Sequence, residues 1–167
     1  MQSKHVKTLA LLALAGVLGM VSASSAFAQK DDDDRGLAGS WLFQISIQDC
    51  NSGAPLGQPF QSLLTFAKGG TLTESTSNPM FFPAERGPGH GVWRHHGSNT
   101  YIATSTAFIT MNGVLARTQT ITQTIEVLTD DTLATTGASV MFYKPDGTLL
   151  ASGCAAATGT RIELPGE

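Results

Sequence analysis

The sequence is divided into short segments by tight-turn residues, and this regular division limits the fold more than any other feature. From residue 37 onward, turn signals recur roughly every ten to fifteen residues. They separate runs rich in threonine, valine, isoleucine, phenylalanine and alanine. No window carries a helical period, so each run is interpreted as a strand. The predicted strands cover residues 37–48, 60–67, 71–76, 91–95, 100–111, 114–128, 132–143 and 148–162.

The connections between these runs have the chemistry of tight turns. They include Lys68-Gly69-Gly70, Gly97-Ser98-Asn99, Asn112-Gly113, Thr129-Asp130-Asp131 and Pro145-Asp146-Gly147. Short connections make successive strands pair antiparallel, and a meander of eight strands can close on itself. We therefore predict an all-β fold, a single closed antiparallel up-and-down β-barrel of about eight strands over residues 37–163. A short C-terminal tail, 164–167, follows it.

The N-terminal segment has the pattern of a secretory signal peptide. Lys4 and Lys7 precede an apolar run at 9–21, and a small-residue cleavage motif ends at Ala28. We expect residues 1–28 to be removed and the mature chain to be secreted or periplasmic, with no membrane span. Residues 29–36 include four consecutive aspartates and are interpreted as a flexible acidic tail.

The net charge and the absence of certain sequence motifs argue against several classes of function. Without the signal peptide and the aspartate run the chain is almost neutral, which argues against binding to nucleic acid. There is no phosphate-binding glycine loop and no nucleophile-elbow motif. We expect no cofactor, and a monomer or a weak homodimer.

The chain has two cysteines, Cys50 and Cys154, and export to an oxidising compartment predicts a disulfide between them. If Cys50 faces Cys154 across paired first and last strands, Phe43 lies opposite Arg161. Trp41 is then a diagonal neighbour of Arg161. A guanidinium on an indole ring is a favourable cation–π contact, so we expect the barrel to close at this pair of strands.

The stretch GSWLF at residues 39–43 resembles the Gly-x-Trp motif on the first strand of lipocalins and of the wider calycin group. In that group an Arg or Lys near the end of the last strand packs across the Trp, and Arg161 in TGTRIE occupies the matching place. Thr129-Asp130 falls where lipocalins carry a Thr-Asp motif, although no aromatic residue follows it at the family's spacing. The resemblance implies a calycin-type barrel in which Trp41 and Arg161 close the base.

Alternation is clearest in the predicted sixth strand. One face is almost entirely threonine and is expected to meet water. The other face begins at Leu115. Its central residues are three polar side chains, Arg117, Gln119 and Gln123, and the aliphatic Ile121. Buried polar groups need hydrogen-bond partners. These residues therefore indicate a lumen that holds water or a ligand, or a network of hydrogen bonds among the side chains inside the barrel. A bulge that swaps the two faces is the third possibility.

Two further features concern the contents of the lumen. The last strand would direct only small residues inward, from Ala151 to Gly159, which leaves space that large side chains such as Phe43 would partly fill. The proline- and glycine-rich segment 77–90 carries three apolar residues in a row, Met80, Phe81 and Phe82. We interpret it as a lid over the barrel mouth, or as the cap of a small hydrophobic cluster.

Three histidines, His90, His95 and His96, lie close together in the sequence. His95 and His96 are adjacent in a strand and point to opposite faces, so they do not share an ion. His90 and His96 converge only if the chain bends back, and no His-x-His pair is present. We therefore expect no metal site here.

These features favour a carrier that sequesters a small apolar or amphipathic molecule in the lumen. Its predicted ligand-binding residues are those of the sixth strand together with Phe43 and residues 80–82. An enzyme of the barrel-cyclase or isomerase type is the alternative, with Arg117 beside Glu74 or Glu85. A structural or interaction protein with a packed barrel, whose partner meets residues 80–82, is the third.

Overall fold

Eight antiparallel strands close into one barrel in the computed structural model, which describes residues 36–166. The predicted signal peptide, and the predicted tail except Gly36, lie outside the described residues. Each strand pairs with its neighbours in the chain, and the first pairs with the last. The strands are β1 Gly39–Gln48, β2 Phe60–Ala67, β3 Thr71–Thr76, β4 Glu85–Gly97, β5 Thr100–Met111, β6 Val114–Thr129, β7 Thr132–Tyr143 and β8 Leu149–Arg161.

The predicted barrel is confirmed, and the strand boundaries differ substantially only at β4. This strand begins at Glu85 rather than at residue 91. The prediction that segment 77–90 is irregular was therefore wrong for its second half, residues 85–90. A short 3₁₀ helix, Pro79–Phe81, occupies its first half. The glycines and proline that suggested a loop lie in the strand at a β-bulge between Arg86 and Gly89. A bulge tolerates proline because its residues leave the regular hydrogen-bond ladder.

The barrel closes between β1 and β8, with Trp41 directly opposite Arg161 and Gln48 opposite Cys154. The expected register, with Phe43 opposite Arg161, was therefore wrong by two residues. The reason is the position of Cys50, which lies beyond the end of β1 in the loop that follows. The predicted disulfide is present, with 5.2 Å between the Cα atoms of Cys50 and Cys154, but it joins a strand to a loop and is not a cross-strand pair.

One end of the barrel is filled by a hydrophobic cluster, and we call this end the base. Aromatic rings form a chain of contacts across it, with centroid distances of 6.4 Å for Phe43–Phe66, 6.1 Å for Phe66–Trp93 and 5.7 Å for Trp93–Tyr101. These rings therefore fill much of the lumen at the base. The buried members of the cluster are Leu37, Trp41, Phe43, Leu64, Phe66, Leu72, Ala103, Ile125 and Leu133.

Arg161 holds the base together. Its guanidinium lies 4.2 Å from the centre of the Trp41 ring system. It also donates hydrogen bonds to three backbone carbonyl oxygens, those of Gly36, Ala38 and Asp130. The Trp41 indole N–H in turn donates to the carbonyl of Leu37 at 2.9 Å. A single side chain thus connects the segment before β1, the strand β1 and the turn between β6 and β7.

Gly39 is required by this arrangement for two reasons. Its φ of 132° lies in a region that L-residues rarely adopt. A Cβ at this position would also lie 2.5 Å from Nη1 of Arg161, where no atom fits. The glycine of the Gly-x-Trp stretch therefore provides the space that the guanidinium occupies.

Replacing Arg161 with methionine should lower the free energy of unfolding by about 3 kcal/mol, because charged hydrogen bonds and a cation–π contact are lost together. Urea unfolding followed by tryptophan fluorescence measures the change. Arg94→Met is the matched control, since Arg94 is exposed on β4 and its loss should change stability by less than about 0.5 kcal/mol. Equal stability of the two variants would contradict the role given to Arg161.

Removing the disulfide in a Cys50→Ser, Cys154→Ser double variant should also destabilise the protein. The bridge spans 104 residues, and the loss of such a constraint on the unfolded chain corresponds to at most about 4 to 5 kcal/mol. Denaturant unfolding of the oxidised wild type, the reduced wild type and the double variant measures it. Coincident midpoints for all three would show that the bridge contributes nothing to stability.

Candidate functional site

The other end of the barrel, which we call the mouth, encloses a cavity of about 260 Å³. Phe43, Ile45 and Leu64 line its deep, apolar part. Near the mouth, Phe81 lines it together with Met80, which is also 71 % exposed. The cavity thus extends from the aromatic cluster of the base to residues at the protein surface.

Small residues on β8 leave this volume free. Gly153, Ala155 and Ala157 line the cavity from one side, on the face predicted to point inward. A Cβ added at Gly153 would have no atom within 4 Å. Closer to the base, Gly159 has the opposite environment, since a Cβ there would lie 2.7 Å from a methyl group of Leu133.

The central residues of β6 are placed as the alternation indicated. Arg117, Gln119, Ile121 and Gln123 all line the cavity. On the outer face, threonine hydroxyls pair across β5 and β6, 3.0 Å apart for Thr104–Thr122 and 3.1 Å for Thr106–Thr120.

The expected inward position of Leu115 was wrong. A bulge places this residue opposite Thr110, and its side chain is 38 % exposed.

The cavity wall contains a buried ion pair that was not predicted from the sequence. The Arg86 guanidinium donates to a carboxylate oxygen of Glu74 and to the side-chain oxygen of Gln119. The side chains of Arg86 and Glu74 are only 3 % and 5 % exposed. Glu74 was considered as an inward acid beside Arg117, but in the structure its carboxylate is bound by Arg86.

The bulge in β4 explains why Arg86 faces inward. Gly89 lies opposite Ala107 and Arg86 lies opposite Ile109, both of which are buried in the barrel. Three positions on β4 therefore match two on β5, which turns Arg86 to the same face as Gly89. Gly89 is needed beside it, since a Cβ there would lie 2.3 Å from a carboxylate oxygen of Glu74. Gly-Pro-Gly at residues 87–89 was the sequence signal that a bulge was possible here.

Arg117 has a different environment from Arg86. Its Nε is buried and has no hydrogen-bond partner within residues 36–166. Its guanidinium lies over the Phe142 ring, 5.4 Å from the ring centre. The hydroxyl of Thr76 is the second buried polar group in the cavity lining for which the described residues provide no partner.

Of the three apolar residues predicted to form a lid, two reach the cavity. Met80 and Phe81 line it, whereas Phe82 is 87 % exposed and does not. Asn78 begins the 3₁₀ helix by accepting a hydrogen bond from the Met80 backbone N–H at 2.9 Å. This cap fixes the start of the short helix that carries residues 80 and 81 between β3 and β4.

The loop that carries Cys50 is also anchored near the mouth. A side-chain oxygen of Asp49 accepts hydrogen bonds from the Ser52 backbone N–H, the Ser52 hydroxyl and the Asn51 backbone N–H. These bonds, with that of the Ser52 backbone the most important, hold the pKa of Asp49 below its usual value. They stabilise the ionised form, so their contribution is lost as the pH falls through this lowered pKa.

The histidines lie away from the cavity. His90, His95 and His96 are all exposed on β4. His95 Nε2 is 2.6 Å from the carbonyl oxygen of Ser98, and its ring contacts Tyr101. Within residues 36–166 no three His, Cys, Asp or Glu side chains are grouped so as to hold a metal ion.

No protein-family model matches this chain, and no curated protein matches it significantly. A membrane-spanning helix is not found among residues 36–166.

Replacing Glu74 with glutamine should lower the free energy of unfolding by about 3 to 5 kcal/mol, because Arg86 would remain buried without its counter-charge. Glu85→Gln is the matched control, since Glu85 is exposed at the start of β4. A Glu74→Gln, Arg86→Met double variant should recover much of the loss. Thermal and urea unfolding of the four proteins test this. If the double variant were less stable than Glu74→Gln, the ion pair would not be the cause.

Proposed function

We propose that the protein is a lipocalin-like carrier that sequesters one small amphipathic molecule in its lumen. The cavity of about 260 Å³ carries this proposal. It is slightly smaller than the range of roughly 300 to 1,000 Å³ that is usual for small-molecule pockets, so the ligand is small. An apolar wall with a few polar groups on one side is typical of such pockets.

Burial of apolar surface would supply most of the affinity. Each Å² of ligand surface that moves from water to the apolar wall contributes about 25 cal/mol. The strands that line the cavity are fixed by the hydrogen bonds of a closed barrel, so little ordering is needed on binding. The polar side chains near the mouth would orient the ligand.

Two features near the base support the lipocalin-like part of the proposal. Trp41 and Arg161 pack together at the barrel end opposite the mouth, and Gly39 provides the space for that contact. The disulfide is compatible with a secreted or periplasmic protein.

The two alternative functions have less support. An enzyme of the cyclase or isomerase type needs a free acid or base in the lumen, and the Glu74 carboxylate is occupied by Arg86. A packed structural barrel would need the space beside Gly153 to be filled, whereas a Cβ there would meet no atom within 4 Å.

The proposal predicts that Gly153→Leu abolishes ligand retention without loss of stability, because the new side chain fills the cavity without a clash. The protein is purified under native conditions and extracted with organic solvent, and the extract is analysed by mass spectrometry. Wild type should release a small molecule in stoichiometric amount, and Gly153→Leu should release at least about tenfold less, because a leucine side chain occupies the apolar volume that the ligand needs.

Gly137→Leu is the matched control. Gly137 is exposed on β7, and a Cβ there also has no atom within 4 Å. This variant should retain ligand as the wild type does. Equal retention by both variants would place the ligand outside the cavity, and repeated recovery of nothing from wild type, even after incubation with a lipid and metabolite extract, would refute the carrier function.

A further inference from the structure

We infer that the lumen selects ligands with a single anionic group, a carboxylate or an acid of similar geometry, and that Arg117 binds this group. The inference rests on the proposed function and adds to it the chemical class of the ligand. It concerns a residue whose positive charge has no acidic side chain beside it in the cavity lining and whose buried Nε–H has no acceptor within residues 36–166.

The ionisable side chains that line the cavity do not balance one another in charge. Three ionisable side chains line it, namely Glu74, Arg86 and Arg117. Glu74 and Arg86 neutralise each other in their buried ion pair. Glu85, the other acid considered for this site, is exposed and does not line the cavity. Arg117 therefore leaves the cavity with one net positive charge, which an anion would balance.

The hydrogen bonds of Arg117 are incomplete within residues 36–166. A guanidinium has five N–H donors and stays charged at all ordinary pH values. No residue in 36–166 accepts a hydrogen bond from the buried Nε. Leaving this charged donor unpaired is costly, and an anion that binds the other N–H groups of the same guanidinium compensates for that cost better than a neutral ligand does.

The contact with Phe142 prepares the guanidinium for such a ligand. The ring lies against the guanidinium, with its centre 5.4 Å from the central carbon. A cation–π contact of this kind holds the guanidinium without using its N–H groups as hydrogen-bond donors to the ring. Carboxylates bind the edge of a guanidinium with two parallel hydrogen bonds.

The position of Arg117 gives the ligand a direction. Arg117 is near the start of β6 and lies opposite Ile109, at the mouth side of the barrel. Phe43, Ile45 and Leu64 line the deep side. The anionic group would therefore bind near the mouth, with the apolar part directed toward the base. The Thr76 hydroxyl, which also lines the cavity without a partner among the described residues, is a further polar contact for the ligand.

The test compares two probes of equal chain length that differ in their polar head group, the anionic octanoate and the neutral 1-octanol. The delipidated protein is titrated with each probe by calorimetry at pH 7.5. Wild type should bind octanoate roughly 10- to 100-fold more tightly than octanol, as expected for a hydrogen-bonded charged pair. Arg117→Met should lose this preference and bind octanol as wild type does.

Two control variants accompany Arg117→Met. Arg94→Met removes the same charge from the outer surface and should keep the preference for octanoate. Arg117→Lys keeps the charge but loses the two-pronged geometry, and its preference should be intermediate. Unfolding curves should show that Arg117→Met is close to wild type in stability, because the lost contact with Phe142 is offset by removal of a buried, unpaired Nε–H.

The outcomes separate this inference from the proposed function. If wild type binds both probes equally, or if Arg117→Met keeps the preference, the anion site is refuted while the carrier function stands. If wild type binds neither probe nor any molecule in the extraction experiment, the carrier function fails and the anion site with it.

Discussion

The contact between the Arg161 guanidinium and the Trp41 indole is the interaction on which the closed barrel depends. The two residues are directly opposite each other where the first strand meets the last. A meander without this junction would expose two sheet edges, which natural proteins avoid. Arg161 also binds backbone oxygens on both sides of the junction, so that its hydrogen bonds are satisfied by elements that must all be in place at once.

The fold was largely predictable because its signals are local. Turn chemistry and alternation gave eight strands in the right order, and the inward face of β6 followed from its period of two. The register of β1 against β8 was not predictable from the cysteines, because a disulfide also joins residues that are not in a strand pair. Cys50, two residues beyond β1, is such a case.

The candidate site was predicted less completely, and bulges are the physical reason. A bulge changes which residues face the lumen after a single inserted position, and alternation alone does not reveal it. For this reason Leu115 was predicted to face the lumen although it faces outward, and Arg86 was not predicted to face the lumen although it does. The ion pair of Arg86 with Glu74 depends on this second bulge, so the charge balance of the lumen was accessible only from the structure.

The two ends of the barrel divide stability and binding between them. At the base, large aromatic side chains pack in the lumen and the Arg161 contacts connect the strands, so hydrophobic packing stabilises this half. At the mouth, small residues on β8 leave the lumen open. This half therefore lacks the packing energy that larger side chains would contribute there. The disulfide and the Arg86–Glu74 pair lie at this less densely packed end. Covalent and ionic links can hold strands together around an empty space, whereas hydrophobic packing must fill it, and this difference explains why both links occur beside the cavity.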